Sequence, residues 1–263
     1  MSYKFTKMHG LGNDFVIFDS RKEDLNLSPR LIQRVSNRRF GIGCDQVLVL
    51  KDGVQDLSDI TMEIYNADGT PAGACGNGTR CVAWLQALAT KQDQIKISTA
   101  DRVVTAKVDK NNIVSVDMGR ARCQDIDLKQ AGVEQAFSVY VGNPHVVIFP
   151  SKKTNVDLDQ IAQGLQHHLL FPEGTNVELV SVVKKNHIKL DVWERGVGRT
   201  AACGSGACAA TSAAFFAGMV DNKCKVSMPG GHLDIEVLDD LSINMTGQVC
   251  LSYTGTLDAS LFE

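Results

Sequence analysis

Residues 66–81 read NADGTPAGACGNGTRC, and the fold turns on them because residues 194–208, ERGVGRTAACGSGAC, repeat their plan. Both stretches carry Ala-Cys-Gly-x-Gly and both run directly into a small, apolar, helix-like segment. Cys75 and Cys203 therefore occupy the same point of two related units. At a helix start the backbone N–H groups and the helix dipole favour negative charge, so a thiol there is expected to have its pKa lowered toward neutrality. Two such thiols are two candidate bases.

Working outward, other landmarks keep step. Gly12-Asn13-Asp14-Phe15 is followed by VIF, and Gly142-Asn143-Pro144-His145 by VVIF. Asn13 precedes Cys75 by 62 positions and Asn143 precedes Cys203 by 60; Asn66 and Glu194 each stand nine before their cysteine. Gly119 and Gly247 each lie 44 beyond it. Regularity on this scale marks an internal repeat.

The elements also keep step. β-branched runs predict strands at 15–18, 47–50, 60–65, 95–99, 103–108 and 113–118 in the first half. The second half answers at 137–141, 146–149, 177–183, 188–193, 224–228, 233–237 and 241–245. Amphipathic helices are expected at 29–39 and 158–168. The segments after Cys75 and Cys203 leave little polar face, which predicts buried helices. The implied fold class is α+β: two pseudo-symmetric domains, each a curved, mostly antiparallel, barrel-like sheet around a central buried helix. Polar, strand-poor residues 120–135 place the boundary, giving domains 1–119 and 120–247; the tail 248–263 lies outside the repeat and is expected to complete the first domain.

A chain of 263 residues accommodates two such cores. A net charge of −3 offers no basic footprint for nucleic acid or an anionic membrane. The N-terminus lacks a signal-peptide apolar region, and the longest apolar-looking run, 207–220, is too short to span a bilayer, so a cytoplasmic protein with a small-molecule partner is expected. Eight cysteines in a reducing compartment read mostly as buried small hydrophobes, including Cys44, Cys81, Cys123, Cys208, Cys224 and Cys250. Five residues separate Cys75 from Cys81 and four separate Cys203 from Cys208, with no histidine nearby, so no metal site is expected.

Two equivalent halves are expected to present their thiols across an interdomain cleft. The helix starts Gly76-Asn77-Gly78 and Gly204-Ser205-Gly206 would aim N–H groups at one carboxylate, placing a thiol on each face of an amino acid Cα. That arrangement suits stereoinversion. No lysine sits in an evident pyridoxal phosphate motif, so no cofactor is expected and preorganised N–H donors would stabilise the carbanion. Asn13, Asn66, Asn143 and Asn176 adjoin glycine-containing turns, where Asn is equally at home structurally. Glu194-Arg195, in the slot of Asn66-Ala67, fits recognition of a zwitterionic group. His145 falls beside the site, placed to tune a thiol.

These residues resemble the diaminopimelate epimerase family. The likeness covers nearly the whole chain: KMHGLGNDF at 7–15, GCDQ at 43–46, NADG before ACGNG, GNPH at 142–145, GTNVE at 174–178, and ERG before ACGSGAC. It implies catalytic thiols at Cys75 and Cys203, and substrate contacts at Asn13, Gln46, Asn66, Gly76, Asn77, Asn143, Asn176, Glu194, Arg195, Gly204 and Ser205. His145 and Glu194 match positions that modulate the thiols, and Tyr253 resembles a dimer contact. By this resemblance the chain is a cofactor-independent enzyme interconverting LL- and meso-diaminopimelate in lysine and peptidoglycan precursor synthesis, assembled as a homodimer. A racemase of the same fold acting on proline, hydroxyproline or histidine is the alternative. Arg199 stands where the family frequently has Glu, and Gly73 and Ala74 where it often has bulkier or acidic residues.

Overall fold

The computed structural model describes residues 3–21, 25, 27–109, 111–151 and 156–258. By internal contacts the chain divides into Met1–Val116 with Gly247–Glu263, and Asp117–Thr246.

The first unit opens with strands β1 (Tyr3–Gly10) and β2 (Asn13–Asp19), helix α1 (Pro29–Ser36), and strands β3 (Gln46–Asp52) and β4 (Ile60–Asn66). After a two-residue strand β5 (Pro71–Ala72) come helix α2 (Gly76–Thr90), β6 (Gln94–Ser98), β7 (Val103–Val108) and β8 (Ile113–Arg120). Helix α1 starts where Ser28 accepts the Leu31 N–H at 3.2 Å and Pro29 fills the first turn; its Leu31, Ile32 and Val35 face the core. The helix ends at Ser36, three residues short of the expected Arg39, because Asn37 turns the chain and accepts the N–H groups of Arg39 and Phe40. Helices α1 and α2 are the crossovers of two parallel pairings, β2 with β3 and β4 with β6; the remaining pairings are antiparallel.

The second unit repeats this plan strand for strand. It runs β9 (Arg122–Ile126), β10 (Val133–Tyr140), β11 (Pro144–Pro150), helix α3 (Leu158–Leu165), β12 (Asn176–Lys184) and β13 (His187–Glu194). The three-residue β14 (Gly198–Thr200) precedes helix α4 (Gly204–Phe216), β15 (Lys223–Met228), β16 (Gly231–Val237) and β17 (Ser242–Gln248). Again the two parallel pairings, β11 with β12 and β13 with β15, flank helices. The chain closes with β18 (Cys250–Leu257), antiparallel to β1.

Two expectations are corrected here. Residues 120–135 are not strand-poor, since β9 pairs with β10 from Ile126–Ala136 to Arg122–Tyr140. The polar sequence RCQDI hides this strand because its side chains are mostly exposed, so no apolar alternation marks it. Nor does the tail lie outside the repeat: β18 flanks β1 as β9 flanks β10, one supplied from the end of the chain and the other from the preceding segment.

Curvature follows from what the helices touch. Helix α2 packs on β1, β4, β6 and β7, although β1 and β7 are five strands apart in the order β18-β1-β2-β3-β4-β6-β7-β8. In a flat sheet they would be about 24 Å apart at about 4.8 Å per strand, beyond the reach of a helix about 10–12 Å wide. The sheet must wrap around the helix. Helix α4 touches β9 and β16 in the same manner. All of α4 from Gly206 to Ala214 is buried, as its small polar face predicts, whereas α2 surfaces in its second half, with Leu88 60% exposed.

Candidate active site

In the first unit Cys75 caps α2. Its backbone is extended (φ −149°) and its Sγ accepts the Gly78 N–H at 3.4 Å, one of the donors a helix leaves unpaired. The thiol lies 3.7 Å from Asn13 Oδ1, which also accepts from Asn77 Nδ2 at 3.2 Å. Asn13 is pinned from the other side, its Nδ2 donating to Asp45 Oδ2 at 3.0 Å. Asn77 is pinned by Arg80, which is wholly buried and donates from Nη2 to Asn77 Oδ1 at 2.9 Å. The Asn13 amide thus cannot turn over without losing bonds at both ends, and its oxygen faces the thiol.

A charged rim supports this frame. Arg38 bridges Asp14 and Asp45 at 2.7 Å each, and Lys7, itself buried, donates to Asp14 and to the Gly43 carbonyl. Burial opposes ionisation of Asp14, but the hydrogen bonds from Arg38 and Lys7 outweigh it and hold its carboxyl well below the usual range. Farther along, Gln46 Nε2 donates to Asn66 Oδ1 at 3.1 Å across the β3–β4 pairing, and Asn66 Nδ2 donates to Thr70.

In the second unit Cys203 caps α4 in the same way, its Sγ accepting the Gly206 N–H at 3.4 Å with Ser205 Oγ at 3.5 Å. Gly76 and Gly204 are the first residues of the two helices. The thiol environment departs from expectation. Cys203 is 5% exposed, and burial pushes its pKa well above the ordinary value, with Glu194 and Glu178 adding to the rise; Ser205 and the Gly206 N–H pull weakly the other way. The helix start does not lower this thiol toward neutrality, because desolvation and two carboxylates exceed a dipole confined to the first turn.

His145 does not hydrogen-bond to the thiol. Its Nδ1 pairs with Glu178 at 2.7 Å and its Nε2 with Asn143 Oδ1 at 2.8 Å, and both His145 and Glu178 are fully buried. Asn176 Oδ1 accepts the Arg195 N–H at 2.9 Å, and the Arg195 guanidinium donates to the Glu173 carbonyl. Glu194 acts on Cys203 through its charge. The residues of each half are thus gathered within that half: Asn13, Asn77, Gly76 and Cys75, with Gln46 beside Asn66, in one; Cys203, Gly204 and Ser205, with Asn143 on His145 and Asn176 on Arg195, in the other. Tyr253, on β18, is half exposed and packs edge-on against Phe5 at 6.0 Å.

The remaining cysteines divide. Cys81 and Cys208 are buried inside the helices as expected, with burial pushing Cys81 to about 12. Cys44 and Cys224 are buried too, but Cys250 is exposed, since it opens a strand whose first residues face outward. Asp45, Arg80 and Glu178 were not singled out by sequence reasoning. The signal for Glu178 was available: it is an acid within an apolar strand run, at the register position that Leu48 occupies in the first half.

The sequence model of the diaminopimelate epimerase family matches residues 5–124 and 137–251. The chain belongs to the diaminopimelate epimerase family. The diaminopimelate epimerase of Rhodospirillum centenum is 38% identical over 274 residues, covering 99% of this chain and 94% of its own. That of Zymomonas mobilis is 39% identical, covering 100% of both. Distant solved structures share the fold of the diaminopimelate epimerase family: a PhzF-family phenazine biosynthesis protein of Bacillus anthracis (TM-score 0.73, 12% identity, 98% of this chain and 99% of that one) and a hydroxyproline epimerase of Agrobacterium vitis (TM-score 0.69, 12% identity, 97% and 92%). Among the described residues no helix is long and apolar enough to cross a membrane.

Proposed function

We propose that the chain is an isomerase that interconverts LL- and meso-diaminopimelate by a two-base proton transfer at Cα, without a cofactor, in lysine and peptidoglycan precursor synthesis. The observation that carries the reading is the matched pair of caps: Cys75 and Cys203 each stand at a helix N-terminus with Sγ on the N–H of the residue three positions on. One thiolate removes the Cα proton from one face while the other thiol delivers a proton to the opposite face. The C–H bond electrons pass into an enediolate and return to form the new C–H bond, so the chemistry is redox neutral. Backbone N–H groups at Gly76, Asn77, Gly204 and Ser205 would hold the substrate carboxylate and the charge that develops on it.

Recognition of the substrate is assigned to Asn13, Gln46, Asn66, Asn143, Asn176, Glu194 and Arg195. The polarity of this set, with Glu194 and Arg195 charged at the positions that Asn66 and Ala67 hold in the first half, fits a substrate with a second amino-acid end. His145 and Glu194 would tune the thiols. A cytoplasmic homodimer that uses Tyr253 completes the reading.

Purified, reduced protein freed of pyridoxal phosphate and given LL-diaminopimelate, proline, hydroxyproline and histidine side by side is expected to convert only diaminopimelate. Turnover of one of the others, with diaminopimelate unchanged, would replace this substrate assignment by the racemase alternative.

A further inference from the structure

The two units are closely matched, yet behind their thiols they differ. In the first unit Gly78 of α2 packs on Leu48 and Phe15; a Cβ built there would meet Leu48 Cδ1 at 3.2 Å and Phe15 Cε1 at 3.5 Å. In the second, the positions equivalent by strand register are Glu178 and His145, and a Cβ on Gly206 would meet Glu178 Oε1 at 2.7 Å and Cys203 Sγ at 3.4 Å. A buried polar pair has replaced an apolar one at the base of a single thiol.

We propose that Glu178 is a positioning residue that keeps Cys203 in its protonated form in the free protein. Its role rests on the reading of Cys203 as a proton-transfer group. Glu178 has no solvent exposure, and among the described residues its Oε2 has no hydrogen-bond partner. Its Oε1 lies 2.7 Å from His145 Nδ1, and the other ring nitrogen lies 2.8 Å from the Asn143 oxygen; burial raises the Glu178 carboxyl pKa, while the contact with His145 opposes that rise. The carboxyl group is therefore anchored through Oε1 by His145, while its Oε2 stands without a hydrogen bond among the described residues. The negative end of the pair lies on the Cys203 side, next to Gly206, so a thiolate there meets the Glu178 oxygen in a buried pocket and loss of the thiol proton is disfavoured.

The groups that face Cys203 act in concert. Glu178 comes from β12 and Glu194 from the end of β13, both negative; His145 on β11 reaches the thiol through Glu178; α4 supplies Ser205 and the Gly206 N–H. At the base of Cys75 the position equivalent to Glu178 is held by Leu48. The proposal makes Cys203 the resting acid of the second unit.

The test follows the thiol directly, so it does not depend on turnover. In protein labelled with 13C at cysteine Cβ, the Cys203 signal, assigned by its loss in Cys203→Ser, is followed against pH in wild type and in Glu178→Gln. The midpoint is expected to fall by about one pH unit, roughly a tenfold change in proton affinity, while the Cys81 signal stays fixed. Should Glu178→Gln fail to fold, His145→Phe with Glu178→Leu, which copies the packing of Phe15 and Leu48, is read in its place and the same fall is expected. An unmoved Cys203 midpoint overturns the proposal. Failure of the epimerase reading would appear separately, as a shifted midpoint in a protein that does not turn over diaminopimelate.

Discussion

Phe15, Leu48 and Gly78 in one unit, and His145, Glu178 and Gly206 in the other, occupy the same three positions of the same fold and do different work. The first set packs; the second sets a buried histidine–glutamate pair at the base of Cys203. The scaffold tolerates either because each position lies under a helix start, where a glycine admits whatever the strands present. A repeat thus holds two thiols in equivalent cap geometry over different neighbours, and on the proposed mechanism one acts as acid while the other acts as base.

The comparison can be broken by exchanging its parts. The largest effect is expected for Cys75→Ala or Cys203→Ala, each lowering epimerisation at least about a thousandfold in a direct assay, since on the proposed mechanism each removes one of two proton carriers. Leu48→Glu comes next. It buries a carboxylate with no histidine to meet it, and urea unfolding should show a loss of roughly 3 kcal/mol or more.

Gly206→Ala and Gly78→Ala sharpen the contrast. The first drives Cβ against Glu178 and Cys203 and is expected to cost about 1–3 kcal/mol; the second meets only the movable ends of Leu48 and Phe15, so the higher helix propensity of Ala should leave it near neutral in the same measurement. Asp14 tests the rim of the first unit. Its carboxyl is held below its unfolded value, so its contribution is present above that value, near pH 3.8, and is lost as pH falls through the lower folded value. Acid unfolding of Asp14→Asn should accordingly begin at higher pH than that of wild type. The smallest effect belongs to Arg199→Ala: the Arg199–Asp159 pair is half exposed on both sides, and its loss should change stability by less than about 1 kcal/mol.

Much of this plan was legible in the sequence. Spacing around Cys75 and Cys203 revealed the repeat, and apolar runs located the central helices and most strands, because buried residues leave a periodic trace. What escaped was polar or lay far along the chain. Strand β9 is mostly exposed and carries no such trace, and β1 was hidden in a motif read for its chemistry. That β18 mirrors β9 could not be read locally, because the two reach equivalent positions from different parts of the chain. Within the site, residue identity marked Cys75, Asn13 and Asn77, but a helix start alone did not foretell the protonation of Cys203. That depends on burial, on Glu194, which the family resemblance names, and on Glu178, which only the fold brings near. Likewise the sequence places His145 beside the thiol, whereas its direct partner is Glu178.

The claim that two thiols share the reaction from opposite faces of Cα is tested most directly by following LL-diaminopimelate in D2O over the first few per cent of conversion. The account predicts deuterium at Cα of the meso product and none in the recovered LL substrate, because the proton removed by one thiol is not the one delivered by the other. Substrate that exchanges as fast as product forms, or product that keeps its protium, would contradict it.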